Sequence, residues 1–293
     1  MNSETLHHFE IQLMNLLQGM RTPLLDQFML FLNFFDSLYF YFGFILVIWF
    51  CYNQKIGIRE LFLFILSVYI AHTVKVALSQ PRPFEIEPSL ALWKARYFGF
   101  PSGTAQNNLV LFGFLALTIR KAWFTWFAIF FVLLVSFSRV YVGVHFPSDV
   151  IGGWLIGALI LSLFALSLPT LEQFLHRRSK MALLFLSSAI TLLLCIVDVP
   201  SDAKIMVAGL FGASVGLILA PPLSEPRSVY QRGGRLLLAL FGMYGVAKLV
   251  PLSLNNLFNE VPIQYVVPFL WGFWVSFGVP GLLRLPEILK RSK

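Results

Sequence analysis

Along the 293 residues, apolar positions gather in runs too long and too uniform to be one face of a soluble helix, and polar positions gather between the runs. Runs able to cross a hydrocarbon core of about 30 Å fall near 24–52, 59–80, 105–119, 122–143, 150–168, 181–197, 203–222, 235–251 and 264–284. The pattern predicts an all-α polytopic bundle of about nine transmembrane helices. The 105–119 run is short, and the 24–52 run is long enough to bend near Asn33 to Ser37. Ahead of the first run, Leu6, Phe9, Ile11, Leu13, Met14, Leu16 and Leu17 repeat with helical spacing, which predicts a short amphipathic helix within 1–23 lying at the membrane surface. This stretch lacks a basic start followed by a continuous apolar core, so a cleaved signal peptide is not expected.

Composition sharpens the assignment. The chain is 58% hydrophobic and 12% charged, with 31 Phe and seven Trp, a balance suited to lipid-facing surfaces and interfacial belts rather than to a water-soluble core. The net charge of +8 does not point to nucleic acid, because the cations sit between apolar runs. Lys55 and Arg59, Arg120 and Lys121, Arg177, Arg178 and Lys180, Arg227, Arg232 and Arg235, and Arg284, Lys290, Arg291 and Lys293 fall in alternate connections. Positive residues stay in the cytoplasm, so these connections and the C-terminus are expected there; with nine spans the N-terminus is external. A bacterial inner membrane is the expected location. Cys51 and Cys195 are too few and too far apart for a disulfide framework or a thiolate metal site.

Basic residues on the opposite side break the charge rule. Lys75, Arg82, Lys94, Arg96 and Arg139 lie at or near the external ends of helices, where a bound anion accounts for them; for Lys94 and Arg96, reaching to the headgroups is explanation enough. Three stretches converge there: KVALSQPRP from Lys75 to Pro83, FPSGT from Phe100 to Thr104, and SRVYVGVHFPSD from Ser138 to Asp149. Arginine offers paired planar donors, lysine a point charge, and the backbone N–H groups of Ser102 and Gly103 can face an anion from a helix start. His145 and Asp149 are four apart with Pro147 between, which predicts a turn; a carboxylate beside an imidazole fixes its tautomer and suits a nucleophile or a base. Each piece alone is ordinary. DVPSD at 198–202 repeats the PSD helix start with no histidine, so PSD by itself reads as a cap.

At these residues the chain resembles the type 2 phosphatidic acid phosphatase family, whose signature joins K-x6-RP, PSGH and SR-x5-H-x3-D. Lys75, Arg82 and Pro83 match the first part, Pro101, Ser102 and Gly103 most of the second, and Ser138, Arg139, His145 and Asp149 the third. The resemblance covers roughly 24–170. It implies a metal-independent, cofactor-free membrane enzyme that removes phosphate from lipid phosphates or diphosphates, or transfers it. In that scheme His145 attacks phosphorus to form a phosphohistidine while Asp149 holds its ring. Lys75, Arg82, Arg139, Ser102 and the Gly103 N–H stabilise the equatorial oxygens.

Thr104 stands where the family has the histidine that protonates the leaving oxygen. General acid catalysis is worth roughly 10² to 10⁴ in rate. The change therefore fits a substrate whose leaving group is itself a phosphate, such as an isoprenoid diphosphate, or a proton from water or from another group such as His72. A third reading is a protein that binds or transports lipid phosphates without turning them over. Residues 171–293 add about four helices beyond the resemblance. Their glycines in AGLFGASVG, 208–216, suit close helix packing, but no activity is assigned to them. The expected partners are a lipid phosphate substrate and membrane lipids.

Overall fold

A computed structural model describes residues 3–220, 226, 228–254 and 260–284. The described residues are helical with connecting turns and contain no strand. Their α-helices are α1 (Ser3–Gln18), α2 (Pro23–Phe31), α3 (Leu38–Val47), α4 (Gln54–Leu78), α5 (Pro83–Ile86), α6 (Gly103–Ile119), α7 (Ala122–Tyr141), α8 (Pro147–His176), α9 (Lys180–Ile196), α10 (Ser201–Leu219), α11 (Val229–Leu254) and α12 (Glu260–Phe273). Arg227, Lys290, Arg291 and Lys293, used above to orient the chain, lie outside the described residues.

The expectation of nine spans is not upheld. Six described helices are long and apolar enough to cross a membrane, and a seventh span arises only if the bent pair Pro23–Asp36 and Leu38–Tyr52, angled at 59°, is taken as one. Hydropathy measures apolar content and not rise. At 1.5 Å per residue, the 17 residues of α6 and of α9 reach about 25 Å, short of a hydrocarbon core of about 30 Å.

The chain divides into two compact units, residues 1–44 with 66–168, and residues 45–65 with 169–293. In the second unit, α10 packs on α12 through its glycines: a Cβ at Gly212 would strike the Phe269 carbonyl, and one at Gly272 the Gly209 carbonyl. Bare backbone surfaces let these two helices approach closely.

The first unit carries all three motif stretches, which fall at the C-terminal ends of α4 and α7 and the N-terminal ends of α6 and α8. Antiparallel helices therefore bring them to one end of the unit. Ser102 caps α6, its hydroxyl accepting from the Ala105 N–H at 3.4 Å. Pro147 opens α8, where a missing N–H is harmless. Gly143 adopts φ +78, and a side chain there would collide with the Leu90 carbonyl, so the turn between α7 and α8 requires glycine.

The bend after α2 has a structural cause. Met29 and Leu32 are buried against Tyr141, Val142 and Val144, and Asp26 accepts from the Tyr141 hydroxyl at 2.7 Å. The stretch 23–36 is thus held at the motif end of the unit, and α3 departs from there. Helix α1 packs at the same end, with Met14 buried among Leu90, Ala105, Val140, Phe146 and Val150. Its Glu10, 4% exposed, accepts from the Ser148 N–H at 2.7 Å and the Ser148 hydroxyl at 3.1 Å. The carboxylate thereby satisfies an orphan donor of α8 and complements its dipole.

Hydrogen bonds to a charged group are worth about 1.5–3 kcal/mol each. Glu10→Ala is expected to lower the unfolding free energy by about 2 kcal/mol, read from SDS-titrated unfolding in mixed micelles. An unchanged midpoint contradicts the capping role of α1.

Candidate functional site

The sequence-derived residues come together in the first unit, and all but the partly exposed Gly103 are buried: Lys75, Arg82, Ser102, Thr104, Arg139, His145 and Asp149 are each at most 6% exposed. His145 Nδ1 lies 3.3 Å from Asp149 Oδ2. A carboxylate facing that nitrogen accepts its proton, which leaves the lone pair on Nε2. The same Asp149 oxygen accepts the Phe146 N–H at 2.9 Å, the backward reach of a third helical residue to its cap, so folding of the first turn of α8 also sets the imidazole. Arg82 Nη1 lies 3.4 Å from Nε2.

Burial, and next the charges of Arg82, Lys75 and Arg139, hold the His145 pKa well below its ordinary value of 6.5. The ring is therefore neutral at physiological pH and carries a usable lone pair.

The three cations serve the surrounding backbone. The Lys75 ammonium donates to the carbonyls of Phe98 at 2.8 Å, Gly99 at 3.0 Å and Pro101 at 2.7 Å. Arg82 donates to the carbonyls of Tyr97 and Val144, each at 2.7 Å, and of Arg96 at 2.8 Å. Its own N–H is taken by Glu85 Oε2 at 2.8 Å, closing the start of α5. Arg139 differs: Nε and Nη2 donate to the Ser138 hydroxyl at 3.2 and 3.0 Å, while the buried Nη1 makes no hydrogen bond. The Ser102 N–H donates to the Asp149 carbonyl at 2.9 Å, tying the FPSGT turn to α8. At Gly103 nothing stands within 4 Å of where a Cβ would be, so an oxyanion can come close to the start of α6.

Two residues that sequence reasoning passed over join this cluster. Asp36 Oδ2 lies 3.8 Å from Arg139 Nη1. Asn108, one turn beyond Thr104, donates to the Thr104 carbonyl at 3.0 Å, the Tyr41 hydroxyl at 2.8 Å and the Phe35 carbonyl at 3.3 Å. The signal for Asp36 was present as a charge inside an apolar run. His72, weighed as a proton source, bonds the Val68 carbonyl through Nδ1 at 2.9 Å and packs edge-on to Tyr97. Lys94 and Arg96 remain in the connecting loop, with the Arg96 carbonyl on Arg82. Among the described residues no group of three or more His, Cys, Asp or Glu could hold a metal ion.

Residues 57–173 match the model of the PAP2 superfamily. The chain is 38% identical over 111 residues to an undecaprenyl-diphosphatase of Sulfolobus acidocaldarius, covering 37% of this chain and 53% of that protein. It is 40% identical over 60 residues to a lipid A 4'-phosphatase of Bacteroides thetaiotaomicron, covering 20% and 27%. With lipid phosphate phosphatase delta of Arabidopsis thaliana it shares 25% over 184 residues, 57% of this chain and 44% of that one. The chain thus spans about half or less of the length of these curated relatives. Among solved structures it is similar to the first transmembrane PAP2 type phosphatidylglycerolphosphate phosphatase from Bacillus subtilis, at TM-score 0.49 and 23% identity, covering 55% of this chain and 85% of that one.

A lowered pKa keeps the imidazole neutral into acid, and protonation sets in only below the ordinary value. A histidine-selective NMR titration is expected to give a midpoint for His145 below 6.5. A midpoint at or above 6.5 contradicts the buried, cation-flanked environment.

Proposed function

We propose, from the match of residues 57–173 to the PAP2 superfamily together with the site geometry, that this integral membrane protein is a lipid phosphatase acting on lipid diphosphates of the isoprenoid type. The observation that carries the reading is the pairing of His145 with Asp149 at 3.3 Å in a buried cluster with Lys75, Arg82 and Arg139, and Thr104 stands where the resemblance expects the proton donor. Everything needed to attack phosphorus is there, whereas the group that protonates a poor leaving oxygen is not. A departing phosphate is weakly basic and leaves without that proton, so the diphosphate is the substrate class this site suits. The likeness to an undecaprenyl-diphosphatase supports the same choice.

In the proposed reaction the His145 Nε2 lone pair attacks the terminal phosphorus. The bridging P–O bond breaks and its electron pair departs with the lipid monophosphate. Asp149 offsets the charge that develops on the phosphorylated ring. Arg139 receives an equatorial oxygen through Nη1, Gly103 allows close approach at the start of α6, and Ser102 holds that turn. Lys75 and Arg82 order the 96–101 loop and lend positive charge to the transition state. Water then releases the phosphate from His145.

We place the site on the external face of a bacterial inner membrane, since the alternate connections bearing Lys55, Arg59, Arg120, Lys121, Arg177, Arg178 and Lys180 mark the opposite face as cytoplasmic. Residues 171–293 carry no assigned chemistry; shaping the path of the lipid is the role proposed for them.

Purified protein is expected to release phosphate from an isoprenoid diphosphate, and His145→Ala to slow release by more than about 10⁴-fold without loss of fold. Normal turnover by that variant rejects His145 as nucleophile. Thr104→His supplies an acid, so it should speed monoester hydrolysis by about 10² to 10⁴ and diphosphate hydrolysis by less than about tenfold. Equal gains on both substrates contradict the leaving-group argument.

A further inference from the structure

The missing histidine leaves a second problem that a good leaving group does not solve. In the first half-reaction a phosphate departs unaided, but in the second a water must lose a proton as it attacks the phosphohistidine. The base for that step has to be a proton acceptor near the phosphoryl position that water can reach.

The carboxylates near the site sort cleanly. Asp149 is 3% exposed and serves His145 and the Phe146 N–H. Glu10 is held by Ser148, Glu85 by the Arg82 N–H, and Asp26 by Arg21 and the Tyr141 hydroxyl. Asp36 is different on each count. Its contact with the site is the 3.8 Å charge pair with Arg139 Nη1, too long for a hydrogen bond, so the carboxylate keeps its lone pairs. Its side chain is 32% exposed, against 1% for Arg139. It lies in electrostatic range of Lys75, Arg82 and Arg139, the three cations proposed to surround the phosphoryl group.

Its position is built in. Phe35, the preceding residue, gives its carbonyl to Asn108 Nδ2, and that same amide bonds the Thr104 carbonyl and the Tyr41 hydroxyl. One side chain thus pins the backbone next to Asp36 onto the turn of α6 that begins at Thr104. Apolar burial of Met29 and Leu32 with Val142 and Val144 also holds this segment.

Resting on the phosphatase reading above, we propose that Asp36 is a catalytic residue, the general base that takes the proton of the water attacking phosphorylated His145. The water oxygen bonds phosphorus, the N–P bond breaks, its electron pair returns to Nε2, and the proton passes to Asp36 and from there to solvent. An ionised carboxylate is an acceptor with no proton to give, so in that form Asp36 suits this second step and not protonation of the first leaving group. The arrangement divides the work of the absent histidine: the diphosphate dispenses with the acid and Asp36 supplies the base.

The test is rapid-quench kinetics of the full chain in detergent with isoprenoid diphosphate labelled in the terminal phosphate. Asp36→Asn should retain a burst of about one equivalent of lipid monophosphate, accumulate acid-labile, alkali-stable label on protein, and turn over about 10² to 10⁴ times more slowly. Added formate should restore breakdown in Asp36→Ala, which a purely structural role does not allow. Unchanged steady turnover in Asp36→Asn overturns the proposal. So does slowed turnover in which the burst rate falls in step and no label accumulates, with formate without effect in Asp36→Ala. Absence of phosphate release from the wild-type chain instead rejects the underlying phosphatase reading.

Discussion

The ammonium of Lys75 and its three carbonyl partners, Phe98, Gly99 and Pro101, are the contact on which the rest of the site depends. A buried lysine is tolerated when its three N–H groups all find acceptors, and the irregular loop ahead of α6 is tolerated at a helix-bundle end when its carbonyls find donors. Each satisfies the other. Arg82 repeats the arrangement on Arg96, Tyr97 and Val144, stitching the loop to the turn that carries His145. The cations that a charge argument assigns to substrate therefore first build the loop that substrate would meet. Arg139 Nη1 alone of these donors is buried with no hydrogen bond, which makes it the one whose engagement by an oxyanion breaks nothing.

This division of labour bears on how the motif should be read. The motif's spacing put Lys75, Arg82 and Arg139 in one class of phosphate-binding residue beside His145. The hydrogen bonds separate them into two that organise backbone, one that is open to a ligand, and one that is neutral because the others are near. The depressed His145 pKa follows from burial first and from the positive neighbours second. The same charges that would draw an anion thus favour the unprotonated imidazole.

Much of this was legible in the chain because it is local. The Ser102 cap, Pro147 at a helix start and the four-residue interval from His145 to Asp149 are set within single turns, and the convergence of the three stretches follows from the alternating direction of the helices. The span count was misread because an apolar run reveals neither a 59° break nor a 17-residue limit. Glu10 was missed for a different reason: it meets Ser148 across 138 positions, and no periodicity announces such a pair. The amphipathic pattern of 1–23 names only its apolar positions, whereas Glu10 is buried as a cap on α8. Asp36 lay between these cases, visible as a charge in an apolar run but assigned to a bend.

The bend and the charge have one explanation. A straight helix through 24–52 would carry Asp26 and Asp36 along the same span, about 15 Å apart at 1.5 Å per residue, so at most one could sit at the motif end. Breaking the helix lets the stretch 23–36 lie at that end, so that Asp26 meets Tyr141 and Asp36 meets Arg139, both in the last turn of α7. Interrupting the helix therefore has a specific consequence: it sets Asp36 beside Arg139, on a backbone that Asn108 ties to the turn of α6 beginning at Thr104.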